Sequence, residues 1–151
     1  NNVRSVDAYA FDYCTSLKTV ILSQGVSSVS AGVFERGVSI ENVFVYNKDC
    51  YMNGSGIPST AVIYSEAGSR VQTFAEENGN KFQLIADMLG DVDSDGKITI
   101  LDATMIQRHI AQLATIDVNR TVCADTDKDG KISILDATMV QRFIAQLIPS
   151  L

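Results

Sequence analysis

A chain of 151 residues with 46% apolar side chains has material for one ordinary domain or two small ones. The net charge of -6 and a pI near 4.6 exclude a nucleic-acid binder, which neutralises phosphates with clustered Lys and Arg. No run approaches the roughly 20 apolar residues of a membrane-spanning helix, so no membrane insertion is expected.

The first elements repeat at 23 residues. Val3, Val6, Phe11, Leu17, Val20 and Leu22 are matched by Val26, Val29, Phe34, Ile40, Val43 and Val45. Apolar positions keep register while polar positions drift, so burial sets the repeat. Stacked units bury a continuous face that one unit cannot bury alone. Residues 17–22 and 40–45 read as short strands, and an irregular stretch over 53–58 leads to a third strand at 61–64. Ser69 and Gln72 have capping-box spacing, Val71, Phe74 and Ala75 share one face, and Gly79 stands at the end, which predicts a helix over 69–78. Residues 82–85 form the last strand. The repeat is already running at Val3 and no export signal is visible, so the chain reads as a piece of a longer protein.

The run Ala10-Phe11-x-x-Cys14-x-x-Leu17-x-x-Val20 and the closing Ala67-Gly68-Ser69 to Asn78-Gly79-x-x-Phe82 resemble bacterial cell-surface leucine-rich repeats of the BspA-like type. The resemblance covers about residues 1–86, and Gly37 stands in the second copy where Cys14 stands in the first. It implies a short leucine-rich β-solenoid that serves as a spacer or as a surface for a protein or glycan target. It implies no reaction.

A second repeat, of period 34, follows. Asp91-Val-Asp-Ser-Asp-Gly-Lys-Ile-Thr-Ile-Leu-Asp102 aligns with Asp125-Thr-Asp-Lys-Asp-Gly-Lys-Ile-Ser-Ile-Leu-Asp136, and over units of 23 residues only five positions differ. Eight of the 18 acidic residues sit in these two loops. Ca2+ takes six to eight oxygens, and a 12-residue EF-hand-type loop offers them at positions 1, 3, 5, 7, 9 and 12. Those positions are Asp91, Asp93, Asp95, Lys97 through its carbonyl, Thr99 and Asp102, then Asp125, Asp127, Asp129, Lys131, Ser133 and Asp136. Gly96 and Gly130 occupy the sharp turn. Two ions are expected. Ile98 and Ile132 are expected to join the loops by a short backbone pairing. Helices are expected over 101–113 and 135–147, with Ala103, Ile106, Ile110 and Leu113, and Ala137, Val140, Ile144 and Leu147, facing the core.

The duplicated loop with Asp at its twelfth position, one following helix per loop and the repeat length strongly resemble a type I-like dockerin of cellulosomes. The resemblance implies three helices, the middle one over 115–124, two calcium ions and a cohesin module of a scaffoldin as partner. Its contact positions fall on Ile100, Leu101, Thr104, Gln107 and Arg108, and on Ile134, Leu135, Thr138, Gln141 and Arg142. Dockerins commonly carry Ser-Thr where this chain twice has Ile-Leu. The apolar pairs either form a hot spot beside Arg or pack inward; contact is the reading adopted. Because both copies carry the same set, docking in two orientations related by 180 degrees is expected.

The fold class expected is therefore α+β and multidomain: a leucine-rich solenoid over 1–86, a linker over 87–90 and an all-α three-helix dockerin over 91–151. The function expected is calcium-dependent anchoring of a secreted, extracellular or cell-surface protein to a scaffold of polysaccharide-degrading enzymes. Alternatives are an EF-hand sensor, for which Met105 and Met139 are too few to line a groove, and a recognition protein whose dockerin is only an anchor. No enzyme is expected. His109 has no second His to join it, Glu35, Glu41 and Glu66 read as a solvated surface, and Cys14, Cys50 and Cys123 form no metal-type spacing and read as free thiols or at most one bridge.

Overall fold

The computed structural model describes residues 3–36, 38–54, 56–86 and 88–151, with the backbone alone at Val118 and Asn119. Gly37 in the second repeat, Ser55 in the irregular stretch and Asp87 at the head of the expected linker lie outside the described residues. The chain divides into two compact units, Asn1–Leu84 and Ile85–Leu151.

The first unit is a parallel β-coil. Short strands β1 (Ser5–Val6), β3 (Ser28–Val29) and β5 (Tyr51–Met52) form one sheet, in that order. The strands β2 (Thr19–Leu22), β4 (Asn42–Val45), β6 (Val62–Ser65) and β7 (Lys81–Leu84) form the other. Ser5 pairs with Ser28, Thr19 with Asn42 and Ser28 with Tyr51, each 23 residues on, so the sequence repeat is the stacking register. From β4 to β6 the offset drops to 20, Asn42 pairing with Val62. Three residues are therefore lost between β5 and β6, within the irregular stretch. The two-residue strands went unread in the sequence because two residues show no alternation.

Inward-facing positions make the core. Val20, Val43 and Ile63 come from successive coils of one sheet, Val29 and Met52 from the other, and Phe34 from the turn between them. Each fully buried side chain of this size contributes about 1.5–3 kcal/mol. Helix α1 (Arg70–Glu77) closes the unit. Ser69 Oγ accepts the Gln72 N–H at 3.1 Å, while Gln72 Oε1 reaches back to the Gly68 N–H at 2.9 Å, one residue ahead of the expected box. At its other end the Asn80 N–H donates to the Ala75 carbonyl and the Gly79 N–H to that of Glu76, which satisfies the last turn. The buried Asn80 side chain also donates to the carbonyls of Pro58 and Ala61, at 2.8 and 3.1 Å, fixing the entry to β6.

The second unit has three helices, α2 (Ile100–Ile110), α3 (Val118–Ala124) and α4 (Ile134–Ile144). Val92, Ala103, Ile106, Ala124, Ala137 and Val140 form its core. Both long helices stop three residues short of expectation. Gln112 and Gln146 turn left-handed at φ +60 and +57, and the N–H groups of Leu113 and Leu147 close the ends on the carbonyls of Arg108 and Arg142. The chain thereby leaves the helical path, and Leu113 and Leu147, expected in the core, are 72% and 70% exposed. Ile110 and Ile144 are likewise exposed, so only the first two apolar positions of each helix are core. Ile98 and Ile132 form no strand; their side chains pack against the core instead. The second loop is entered directly from α3, the Asp125 N–H bonding the Thr121 carbonyl, so this loop has a helix on both sides.

Leu89 and Gly90, assigned from sequence to a linker, are buried, and the Gly90 N–H donates to the Cys123 carbonyl at 2.8 Å. Gly90 has φ +86, and a side chain there would run into Leu151. Gly90→Ala is expected to cost about 1–3 kcal/mol of second-unit stability through left-handed strain and displacement of Leu151. Urea denaturation followed by far-UV circular dichroism measures it.

Candidate metal centre

Each acidic loop begins as an irregular turn and ends inside a helix. Positions 10–12 of the loops are already the first turn of α2 and α4. Asp102 and Asp136 are fully buried. The Val92 N–H donates to Asp102 Oδ1 at 2.8 Å and the Thr99 N–H to its Oδ2 at 2.8 Å. Asp136 repeats this with the N–H groups of Thr126 and Ser133, both at 2.8 Å. One carboxylate in each loop thus ties the loop's entry to the helix start.

The remaining carboxylates converge. Asp91, Asp93 and Asp95 bring ligand oxygens within 4.8 Å of one another, as do Asp125, Asp127 and Asp136 in the second loop. Among the described residues these are the groups of three or more side chains able to hold one ion. Asp102 and Asp129 fall outside the group of their own loop. Bonds to loop amides do not set these two apart, since Asp136 and Asp95, each inside a group, accept the equivalent N–H groups. Loop amides also turn inward: the Gly96 N–H bonds Asp91 Oδ2 at 3.0 Å and the Gly130 N–H bonds Asp125 Oδ2 at 2.9 Å. Those glycines sit at φ +82 and +86, where a Cβ is strained.

Lys97 and Lys131 are exposed, leaving only their carbonyls for an ion. Thr99 Oγ1 and Ser133 Oγ, expected as ligands, accept the N–H groups of Leu101 and Leu135 at 3.2 and 3.1 Å and cap the helices. The Thr-x-x-Asp and Ser-x-x-Asp spacing carried that signal in the sequence. Thr126 was missed altogether: it is buried, and its hydroxyl lies 3.3 Å from Asp136 Oδ1.

The fit of a cation is tested by Asp125. Its Oδ1 is buried and has no hydrogen-bond partner. Burial, and then the nearby charges of Asp136, Asp127 and Asp129, push its carboxyl up to about 6 against the lowering bond from Gly130. An unsatisfied buried carboxylate oxygen among other carboxylates is costly by itself and is suited to a hard divalent cation with oxygen ligands. The residues present fit such an ion.

Elsewhere the structure places the residues singled out as follows. The exposure of the two apolar pairs is nearly equal, 56% and 61% for Ile100 and Leu101 against 56% and 60% for Ile134 and Leu135. Thr104, Thr138, Arg108 and Arg142 are exposed beside them, as is Gln107, and Gln141 is partly so. The Thr104 and Thr138 hydroxyls donate to the carbonyls of Ile100 and Ile134 at 2.8 Å. His109 Nδ1 accepts the Ile116 N–H at 3.2 Å. Glu41 pairs with Lys18 on the surface, and Glu35 and Glu66 are exposed. Cys14, Cys50 and Cys123 are free thiols; burial pushes Cys50 and Cys123 up to about 11, which keeps them protonated and unreactive at neutral pH.

In EDTA the Asp125 carboxyl makes stability fall as pH rises. Its folded value of about 6 exceeds the ordinary 3.8, so the folded state holds the extra proton between those values and loses that advantage above 6. Chelated protein is expected to gain stability between pH 7 and 5 relative to Asp125→Asn, measured by paired denaturation curves. With calcium the sign reverses, because proton and cation compete for the same carboxylate.

Residues 89–145 match the family model of the Dockerin type I domain. No curated protein and no solved structure matches the chain.

Proposed function

We propose that the second unit is a calcium-dependent cohesin-binding module that fixes the leucine-rich repeat unit to a cohesin-bearing scaffold. The observation that carries this reading is the recurrence, in both copies, of one acidic loop followed by the same exposed Ile-Leu, Thr and Arg set; the family match supports it. Two calcium ions, one per loop, would take the formal charge from -6 to -2 (-6 + 4) and offset the repulsion among the Asp side chains. Asp91, Asp93 and Asp95, and Asp125, Asp127 and Asp136, would hold them, joined by the carbonyls of Lys97 and Lys131. The thin core makes metal binding a large part of the folding free energy.

The ions fix the loops, the loops fix the first turns of α2 and α4, and those turns present the apolar pairs. In this reading the chain is an adaptor, not an enzyme, and works outside the cell on a scaffold of polysaccharide-degrading enzymes. Its leucine-rich unit is the cargo or a recognition surface. Ile-Leu in place of Ser-Thr selects a cohesin whose facing surface is apolar. Polar partners would be left unpaired against it.

A native gel of the chain against a panel of cohesins, in calcium and again in EDTA, tests the adaptor. A calcium-dependent band with one class is expected; no band with any cohesin, from a calcium-folded chain, would sink it. Replacing both pairs by Ser-Thr (Ile100→Ser, Leu101→Thr, Ile134→Ser, Leu135→Thr) is expected to weaken that complex by about tenfold or more, the loss of a hot spot. Calcium-bound circular dichroism should stay unchanged, since these side chains are exposed.

A further inference from the structure

The two sheets of the first unit end differently. One has four strands, β2, β4, β6 and β7, while the other stops at β5. The offset of 20 between β4 and β6 carries Tyr51 onto Val71, so helix α1 stands where a fourth strand of the shorter sheet would lie. One coil-to-coil bond is still made there, from the Arg70 N–H to the Lys48 carbonyl at 3.0 Å, and then the chain turns helical. The N–H groups of Tyr51 and Asn53 point back to β3, bonding the carbonyls of Ser27 and Val29 at 2.9 and 3.0 Å. By the alternation of a strand, the N–H and C=O of Met52 between them are directed the other way, toward α1. No described residue bonds them on that side.

A groove of about 250 Å3 opens between that strand and the helix. Its lining includes the buried, apolar side chains of Met52 and Phe74 and the fully buried Cys50. Its wall is one face of α1, since Arg70, Thr73, Phe74 and Glu77 follow helical spacing and all line it. Arg70 and Glu77 stand at the two ends of that face, about 10 Å apart along the axis at 1.5 Å per residue. Both are exposed, and neither forms an ion pair among the described residues. The Arg70 guanidinium sits over the ring of Tyr51, the first residue of β5, at 5.6 Å from its centre. One cleft thus carries a cation at one end, a carboxylate at the other, and apolar side chains and an unpaired strand edge between them.

We propose that this groove binds the C-terminal end of an extended peptide, about three residues of it, added antiparallel to β5. Charge complementarity selects the occupant and its direction. About three extended residues, at roughly 3.3 Å each, span the distance from Arg70 to Glu77. Arg70 lies at the start of β5, so a peptide running against the strand brings its C-terminal carboxylate to the guanidinium and its amino end toward Glu77. A parallel peptide would set ammonium beside Arg70. The Met52 N–H and C=O supply the main-chain bonds of strand addition, and the surface of Met52 and Phe74 receives an apolar side chain. A neutral oligosaccharide would leave both charges without a counter-ion. The site is bounded on both sides by elements of the first unit and is independent of cohesin binding.

Nuclear magnetic resonance titration of the isotope-labelled 151-residue chain in calcium decides the matter. The probes are pools of tripeptides with free ends, each pool fixed at its C-terminal residue, the same pools amidated, and cellotriose. At least one free pool is expected to shift the Met52 amide and the Arg70 Nε signal saturably. Amidation of that pool, or Arg70→Gln, should weaken binding by about tenfold or more, the loss of a charge-assisted contact. Thr73→Trp, which fills the groove from an exposed position, should abolish the shifts. Far-UV circular dichroism of both variants should match that of the parent, since Arg70 and Thr73 are exposed. No shift from any free pool, equal binding of the amidated pools, or shifts from cellotriose alone would overturn the proposal. So would a dimeric chain whose Met52 amide is already protected from exchange.

Discussion

Two buried carboxylates hold the second unit in shape. Asp102 and Asp136 each receive an N–H from the start of a loop, at Val92 and Thr126, and another from the cap of the following helix, at Thr99 and Ser133. A fully buried charge is tolerable only when it is so paired, and the positive end of a helix adds to the compensation. Because the same side chain reaches both ends, the loop's geometry and the helix's first turn are one variable. Everything downstream follows: the other Asp side chains converge because the loop is closed, and the Ile-Leu pairs point outward because Asp102, Ala103 and their counterparts point inward.

The first unit rests on a different force. Its strands are two to four residues long, too short to be stable singly, and every strand pairing runs between coils. Register is therefore the property that burial enforces, since a slip of one residue would move Val20, Val43 and Ile63 off the core face. Where three residues are lost after β5, the ladder survives because the loss falls in a turn and leaves β6 in phase with β4. The buried Asn80 side chain bonds two carbonyls at the entry to β6 and so fixes the end of that shortened turn.

Legibility in the sequence followed the same division. The 23-residue spacing of apolar positions read out as strand register because a solenoid repeats its burial pattern in every coil. The loop positions were legible because oxygen ligands recur at fixed steps. Leu113 and Leu147 were misread because helical periodicity reports a face but not where the helix stops, and here Gln, not Gly, takes the left-handed position. Thr99 and Ser133 cap their helices as well as standing at the ninth loop position, and their Thr-x-x-Asp and Ser-x-x-Asp spacing carried that second role in the sequence. The role of Asp102 and Asp136 as ties depends on distances between atoms ten residues apart, which no local pattern encodes.

The likeness of the two copies does not extend to everything around the helices. The outer stripe and the inward-facing positions match, but the surroundings of the helix ends and the loop entries do not. His109 accepts a backbone N–H from Ile116, whereas Phe143, its counterpart, lines a groove of about 590 Å3 with Ile98, Ile148 and Pro149. The second loop is entered from α3 and its Asp125 is buried, while the first follows the turn at Gly90 and its Asp91 is only partly so. A partner touching the stripe alone would meet equivalent surfaces in either orientation; one reaching past the helix ends would not. The reach of the partner's contact past Ile110 and Ile144 therefore sets whether the internal repeat is a true dyad for binding or only a trace of duplication.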